Sequence, residues 1–336
     1  MSEPREIRWG ILGTAHIAST FAGAASAVPG SRVTAVASRD ADRAAAWARA
    51  HGIPRAFGSY ETLLAEGEID ALYLPLPNSL HARWTMRAIE AGIPVLCEKP
   101  LTVNAEEAAE VARRSREFDV LVAEAFMYRH HPQYERVLGL LREGAIGTLR
   151  LIQASFSFFL DDRSEIPASA ALGGGALRDV GCYGVNLARL VTGTEPTRVF
   201  AAAHGPEVDD TLVGVLEFPG GVLACIDCSI ECEERRRAEI VGTEGTIVLD
   251  RPWLPSLEGA EIRLRRGGVE ERIAVPGACG YRLEIADFAE AIRTGRDARW
   301  PVTDAVANMA VLDALLASAG DGMPRDLPDR RARDGV

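Results

Sequence analysis

Ile7-Arg8-Trp9-Gly10-Ile11-Leu12-Gly13-Thr14-Ala15-His16-Ile17-Ala18 is the stretch that decides how this chain folds. Ile7 to Leu12 is a short apolar strand ending at Gly13. From His16 onward the apolar residues Ile17, Ala18, Phe21 and Ala25 recur at helical spacing. The turn between them has the form G-x-A-x-x-A, a small-residue version of the glycine turn that receives a dinucleotide pyrophosphate at a helix N-terminus. The first position makes the bend, the second lets backbone approach the phosphates, and the third lets helix and strand pack closely. Gly13, Thr14, Ala15, His16 and Ile17 are therefore candidate cofactor-binding residues.

The second strand decides which dinucleotide. Arg32 to Ala37 ends in Ser38-Arg39-Asp40. A unit built for NAD usually carries an acidic residue there, accepting from the ribose 2′-hydroxyl. A hydroxyl and guanidinium donors suit a 2′-phosphate instead. Ser38, Arg39 and Arg43 thus predict NADP(H), with Asp40 as the N-cap of a helix over Ala41–His51. Ile69 to Leu74 is a further buried strand, followed by the proline-stiffened loop Pro75-Leu76-Pro77-Asn78-Ser79-Leu80-His81. Ligands of open parallel sheets bind beyond the carboxyl ends of the strands, so Leu74, Pro75, Leu76, Asn78 and His81 are expected beside the nicotinamide half. A helix over His81–Ala91 stops at Gly92, and a strand over Pro94–Cys97 delivers Glu98-Lys99-Pro100 to the same edge. Val120–Ala123 brings Glu124-Ala125-Phe126 there as well. Repeated βα units predict a doubly wound α/β Rossmann domain over residues 1–126.

Lys99 is the only lysine among 37 basic side chains. Arginine serves wherever a fixed positive charge suffices. A retained lysine marks a place that needs what arginine cannot supply, because a partly buried ammonium shifts its pKa and exchanges a proton. Lys99 is accordingly a candidate catalytic residue.

Past Met127-Tyr128-Arg129-His130-His131-Pro132 and a helix over Gln133–Glu143, the hydrophobic period changes to two. Strands are expected over Thr148–Phe159, Arg198–Ala203, Thr211–Phe218, Val222–Cys232, Arg237–Val241, Thr246–Leu249, Ile262–Arg265 and Glu271–Val275. Short glycine turns such as Pro219-Gly220-Gly221 and Gly267-Gly268 make neighbours antiparallel. Residues 127–320 read as an α+β domain with one large, mainly antiparallel open sheet, closed by helices over Glu284–Thr294 and Asp304–Ala319. Residues 321–336 read as a loose tail. After Gly173-Gly174-Gly175, Ala176 begins a helix on which Asp179 and Tyr183, four apart, share a face. A carboxylate beside a phenol orients a substrate hydroxyl, and the phenol trades a proton where an ammonium stabilises its phenolate. Substrate contacts are expected on Phe156–Ala171 and on the sheet floor, with Arg163 among the candidates.

The net charge of −11 speaks against nucleic acid or an anionic membrane as partner. No apolar run reaches the ~18–20 residues of a bilayer span, and Met1-Ser2-Glu3-Pro4-Arg5 lacks a signal-peptide core. Six cysteines give neither a disulfide framework nor a metal set. Cys225 points away from Cys228 and Cys232 on one extended strand, so no metal is expected and reduced thiols imply a cytoplasmic protein. An open sheet with helices on one side predicts a homodimer or homotetramer.

These residues together resemble the Gfo/Idh/MocA oxidoreductase family over nearly the whole chain. The marks are Gly10-Ile11-Leu12-Gly13, Glu98-Lys99-Pro100, the Asp179–Tyr183 helix, Tyr281-Arg282-Leu283-Glu284 and Phe288-Ala289-Glu290-Ala291-Ile292. The Tyr at position 183, with Glu124-Ala125-Phe126-Met127-Tyr128-Arg129, is similar to the subset with glucose–fructose oxidoreductase, sugar dehydrogenases, dihydrodiol dehydrogenases and nucleotide-sugar ketoreductases. The resemblance implies an NADP(H)-dependent oxidoreductase acting on a hydroxyl or ketone of a sugar, nucleotide-sugar or polyol. It places Lys99 beside substrate and nicotinamide, Glu98 and Tyr281 at the cofactor, and Tyr128, Arg163, Asp179 and Tyr183 at the substrate. Either Lys99 or Tyr183 fits the immediate proton partner. Rival readings are a dihydrodiol dehydrogenase-like enzyme and a non-catalytic NADP sensor.

Overall fold

The computed structural model describes residues 5–328. Its first sheet is built from β1 (Ile7–Leu12), β2 (Ser31–Ala37), β3 (Arg55–Phe57), β4 (Ala71–Leu74), β5 (Val95–Glu98) and β6 (Val122–Ala125). All pairs are parallel, in the order β3-β2-β1-β4-β5-β6. The crossovers are α1 (His16–Ala25), α2 (Ala41–His51), α3 (Tyr60–Glu66), α4 (Asn78–Glu90) and α5 (Ala105–Phe118). Local chemistry sets their bounds. Asp40 Oδ1 accepts the Arg43 N–H at 3.0 Å and starts α2, while Gly52, at φ +66°, ends it. The β4–α4 connection differs from expectation, since α4 begins at Asn78, so Asn78 and His81 lie on the helix.

The second sheet is formed by β7 (Leu149–Phe159), β8 (Arg198–His204), β9 (Thr211–Phe218), β10 (Val222–Ser229), β11 (Glu231–Gly242), β12 (Gly245–Leu249), β13 (Gly259–Arg266), β14 (Val269–Pro276) and β15 (Arg325–Asp326). Their order is β14-β13-β12-β11-β7-β10-β9-β8-β15, with every pair antiparallel except β7 with β10. The expected strand over Val222–Cys232 is two strands, which leaves Cys232 exposed on β11 while Cys228 is buried on β10. Arg325 and Asp326 pair with Val199 and Arg198, so the expected tail is ordered there, and residues 329–336 lie outside the described residues. Helices α6 (Pro132–Arg142) and α7 (Cys182–Thr192) belong with this sheet.

The chain forms two compact units. One is residues up to His130 with Cys279–Val306; the other is His131–Ala278 with residues from Ala307. Helix α8 (Gly280–Thr294), which the sequence division assigns to the second domain, therefore belongs to the first. Its Ile285, Phe288 and Ala289 complete a core with Trp9, Phe21, Ala25 and Tyr73. Trp9 lies edge-on to Phe21 at 5.1 Å and Tyr73 stacks on Phe21 at 3.8 Å. Burying each such side chain stabilises by about 1.5–3 kcal/mol, enough to hold a helix distant in sequence.

Helix α9 (Val302–Asp321) corrects another expectation, because by length and composition it is apolar enough to cross a membrane. Its Met309, Val311, Leu312 and Leu315 are buried in the protein. Arg189 Nη1 donates to its Asn308, and its Ser318 Oγ accepts the Ala201 N–H at 3.0 Å. These contacts mark a core helix.

Candidate active site

In the first sheet β1 lies between β2 and β4, so the winding reverses there and the loops after β1 and β4 flank the crevice. Gly13 has φ +103°, and a Cβ on it would meet Leu76 Cδ2 at 2.9 Å. Only glycine fits that bend beside that loop. Ala15 gives α1 no side-chain cap and its first turn holds no acidic residue, which suits an anion at the helix N-terminus. At the end of β2, Arg43 Nε donates to Thr14 Oγ1 at 2.7 Å and the Asp40 N–H donates to Ser38 Oγ at 3.3 Å. Arg39 and Arg43 both face the Tyr60 phenol; burial raises its pKa and the two guanidiniums offset part of that rise. Two guanidiniums with two hydroxyls at this point fit a 2′-phosphate, and the turn fits a pyrophosphate.

Strand β5 carries the lysine. The Tyr73 hydroxyl, from the neighbouring β4, donates to Glu98 Oε1 at 2.6 Å, and the Lys99 N–H donates to Glu98 Oε2 at 3.3 Å. The Leu101 N–H donates to Glu124 Oε1 at 2.8 Å, and the Lys99–Pro100 peptide is cis. Lys99 itself is half-buried. Tyr281 borders this carboxylate; burial first, then Glu98 and Glu284, push its phenol pKa up. Tyr128 is buried in a 3-10 turn over Met127–His130, edge-on to Phe126. His81 departs from its expected role. It is fully buried, with Nδ1 2.8 Å from the Pro100 carbonyl oxygen and Nε2 2.7 Å from that of Leu76. Burial lowers its pKa to about 4 against those two bonds. It packs between the Leu76 loop and the Glu98-Lys99-Pro100 turn, gives its one N–H to one of these carbonyls and presents no ring nitrogen to a ligand. A cavity of about 610 Å3, lined by Pro94, Arg116, Leu121 and Arg296, lies at the amino ends of β5 and β6, away from the predicted residues.

In the second unit, Leu177–Gly181 is a π-helical turn that runs directly into α7. Such turns recur at functional sites. Asp179 lies on it half-buried, its N–H donating to the Gly175 carbonyl at 2.9 Å, and Tyr183 opens α7. The Tyr183 ring, 6% exposed, lies 5.5 Å from both Phe156 and Trp253. Phe156 and Trp253 are parallel at 6.0 Å, and the Arg236 guanidinium caps Phe156 at 5.4 Å. Arg163 gives its Nη2 to both oxygens of Asp210 at 2.8 Å, so its charge is engaged within the protein. Lys99 is thus a residue of the first unit, and Asp179 and Tyr183 of the second.

The sequence profile described as "Oxidoreductase family, NAD-binding Rossmann fold" matches residues 7–126, and that of the GFO/IDH/MocA C-terminal domain matches residues 134–248. The chain belongs to the GFO/IDH/MocA oxidoreductase family. It is 38% identical over 329 residues to D-xylose 1-dehydrogenase (NADP(+)) 2 of Haloferax volcanii, covering 95% of this chain and 99% of that one. It is 35% identical over 257 residues to trans-1,2-dihydrobenzene-1,2-diol dehydrogenase of Mus musculus, covering 74% and 76%. A solved 3-ketoreductase from Actinomadura kijaniata, in complex with NADP and TDP-benzene, matches with a TM-score of 0.89 at 33% identity, covering 94% of this chain and 98% of that chain.

Within this GFO/IDH/MocA oxidoreductase, the sequence reading missed Trp253, Arg236 and the paired role of Tyr73 and Glu98. Trp253 had a signal in the stiff Pro252-Trp253-Leu254-Pro255 loop, which the Tyr134 hydroxyl ties down through the Pro252 carbonyl at 2.7 Å. Among the described residues no group of His, Cys, Asp or Glu side chains is placed to hold a metal ion.

Proposed function

We propose that this oxidoreductase is NADP(H)-dependent and interconverts a hydroxyl and a ketone on a sugar, nucleotide-sugar or polyol. The observation that carries the cofactor choice is the Arg43–Thr14 bond beside Ser38 and Arg39 at the end of β2. Gly13 to Ile17 would take the pyrophosphate and Ser38, Arg39 and Arg43 the 2′-phosphate. Leu74, Pro75, Leu76, Asn78, Glu98 and Tyr281 would border the nicotinamide. A bound nicotinamide cofactor supplies or accepts the hydride. Tyr183 moves the hydroxyl proton, Lys99 supplies the positive charge that polarises a substrate oxygen, and Asp179 accepts from a neighbouring hydroxyl. Tyr128 lies on the substrate side.

The ring pair Phe156 and Trp253 around Tyr183 favours a second reading, a flatter cyclic diol as in the dihydrodiol dehydrogenases. One assay separates them. NADP+ reduction is measured with D-xylose, other aldoses and trans-dihydrobenzenediol, and NADPH oxidation with keto-sugars. A kcat/KM for the diol tenfold above every carbohydrate would select the second reading; no turnover with either class would sink both.

The six free cysteines support a reducing, cytoplasmic setting. Phe200, Val213, Val215 and Leu223, exposed on one face of β8, β9 and β10, support closure of that face by a second copy, as a homodimer or homotetramer.

A further inference from the structure

Two adjacent aspartates at the start of β9 hold both ends of the segment that connects β7 to the Asp179–Tyr183 helix. Asp210 receives Arg163 near the segment's beginning. Asp209 receives its end twice: its Oδ2 accepts the Leu177 N–H at 2.6 Å, and its carbonyl oxygen accepts the Ala176 N–H at 2.6 Å. Gly175, at φ +111°, runs so close to this carboxylate that a Cβ there would collide with Asp209 Oδ1. Between these anchors the segment closes on itself, with the Gly174 N–H donating to Ser169 O at 2.9 Å and the Gly175 N–H to Pro167 O at 2.8 Å.

The position of the clamp matters because of what starts there. Leu177 is the first residue of the π turn, and Ala176 provides no side-chain cap of its own. A helix begun one residue earlier or later turns its side chains by roughly a quarter of a revolution. The acceptor that fixes where the π turn starts therefore also fixes where Asp179 and Tyr183 point.

We propose that Asp209 is a positioning residue of this enzyme: through the Leu177 N–H it sets the start of the π turn and with it the aim of Asp179 and Tyr183. The inference rests on the reading of those two residues as working groups. It also carries a pH signature. Burial, offset in part by the Leu177 bond, holds the Asp209 carboxyl at about 6. Arg178 of the π turn opposes that rise, Asp210 adds to it, and the Cys228 thiol of β10 lies within electrostatic reach of it. His204 and Glu207 share the cleft beside it. Below that pH the neutral acid is the weaker acceptor for Leu177.

The test compares Asp209→Asn, which keeps an acceptor of the same shape but does not titrate, with Asp209→Ala, which has none. Full pH profiles of kcat and KM are measured alongside NADPH affinity and hydrogen exchange over residues 163–190. Asp209→Ala should lower kcat about tenfold or more by misaiming the catalytic groups, leave NADPH affinity unchanged, and speed exchange at residues 175–183. Asp209→Asn, which keeps a neutral acceptor at every pH, should hold kcat well above that of Asp209→Ala and lack the acid limb near pH 6 expected of the native enzyme. Native kcat and exchange in the Ala variant, or an Asn variant as impaired as Ala, would overturn the proposal. Should the Ala variant fail to fold, the Asn variant still decides: an acid limb retained in Asp209→Asn overturns it. If native protein turns over no substrate, faster exchange in Asp209→Ala upholds the clamp and removes only the reading of Asp179 and Tyr183.

Discussion

Tyr73 gives its hydroxyl hydrogen to Glu98 Oε1 at 2.6 Å, joining β4 to the residue that immediately precedes Lys99. The two strands are in register there, Tyr73 opposite Leu96 and Leu74 opposite Cys97. Burial, then the Glu98 carboxylate, raises the Tyr73 phenol well above its ordinary pKa, so it stays a donor. The backbone on which Lys99 rides is thereby fixed from the side.

Tyr73→Phe tests that link. The ring keeps its stacking on Phe21 and only the donor is lost. We expect a loss of about 1–3 kcal/mol in urea unfolding, a lower kcat and an unchanged affinity for NADPH. Unchanged stability and turnover would show that the bond neither holds the loop nor aids the lysine.

Cofactor choice tests the end of β2. With Ser38, Arg39 and Arg43 in place, NADPH should bind at least tenfold tighter than NADH, ~1.4 kcal/mol. Arg39→Ala should erase most of that preference. Arg43→Ala should weaken both cofactors as well, because it also releases Thr14. Isothermal titration with both nucleotides reads this directly, and equal affinities in the native protein would refute the 2′-phosphate assignment.

What was legible in the sequence was local. Leu12-Gly13, the Asp40 cap and Gly52 punctuate the chain through contacts within a few residues, and β1, α2 and β9 fall where the pattern put them. What was not legible depends on residues far apart in the chain. Helix α8 joins the first unit through Ile285 and Phe288 meeting a core around Trp9. The parallel pairing of β7 with β10 spans a long connection that leaves no turn signal. His81 shows the limit for site residues: its type and motif pointed to a ligand, whereas both ring nitrogens face backbone carbonyls and the neutral ring gives its one N–H to one of them. Asp209 and Trp253 act through side chains that only the tertiary fold brings to Leu177 and Tyr183.

Assembly tests the open face of the second sheet. Phe200 pairs with Val215 and Ala202 with Val213, forming an exposed apolar strip. We expect sedimentation to give a dimer or tetramer at micromolar concentration and Val215→Asp to shift it toward monomer. A native protein that sediments as a monomer would count against this surface.

Glu284 gives a stability prediction with a sign. It is 3% exposed and its Oε1 has no hydrogen-bond partner; burial, then the Glu98 charge, raise its carboxyl well above the ordinary range. Folding therefore takes up a proton, and this stabilisation, complete below the ordinary carboxyl pKa, is lost as pH rises, by up to ~1.4 kcal/mol per pH unit. His130, beside it in a small cavity, is lowered by burial to about 3, so its contribution is lost as pH falls below its ordinary value of 6.5. The two oppose each other in acid, and above neutrality only Glu284 acts. Glu284→Gln should flatten the decline in stability between about pH 7 and 8.5. Parallel curves for native and variant protein would mean that Glu284 is ionised in the fold.

The sharpest prediction concerns the lone lysine. If Lys99 contributed only charge, Lys99→Arg would be nearly silent, since arginine supplies charge everywhere else in this chain. A proton-exchanging ammonium is different: guanidinium is bulkier, stays protonated and cannot take part in the relay. Positioned acid–base groups are worth ~10²–10⁴-fold, so kcat should fall at least about a hundredfold while NADPH affinity stays within the native range. Tyr183→Phe, which keeps the ring against Phe156 and Trp253 and loses only the hydroxyl, should cost a comparable factor. If the two groups serve one proton transfer, the double variant should be little worse than either single one. Fully additive losses would assign them separate tasks, and a Lys99→Arg enzyme with near-native turnover would reduce the lysine to an accident of composition.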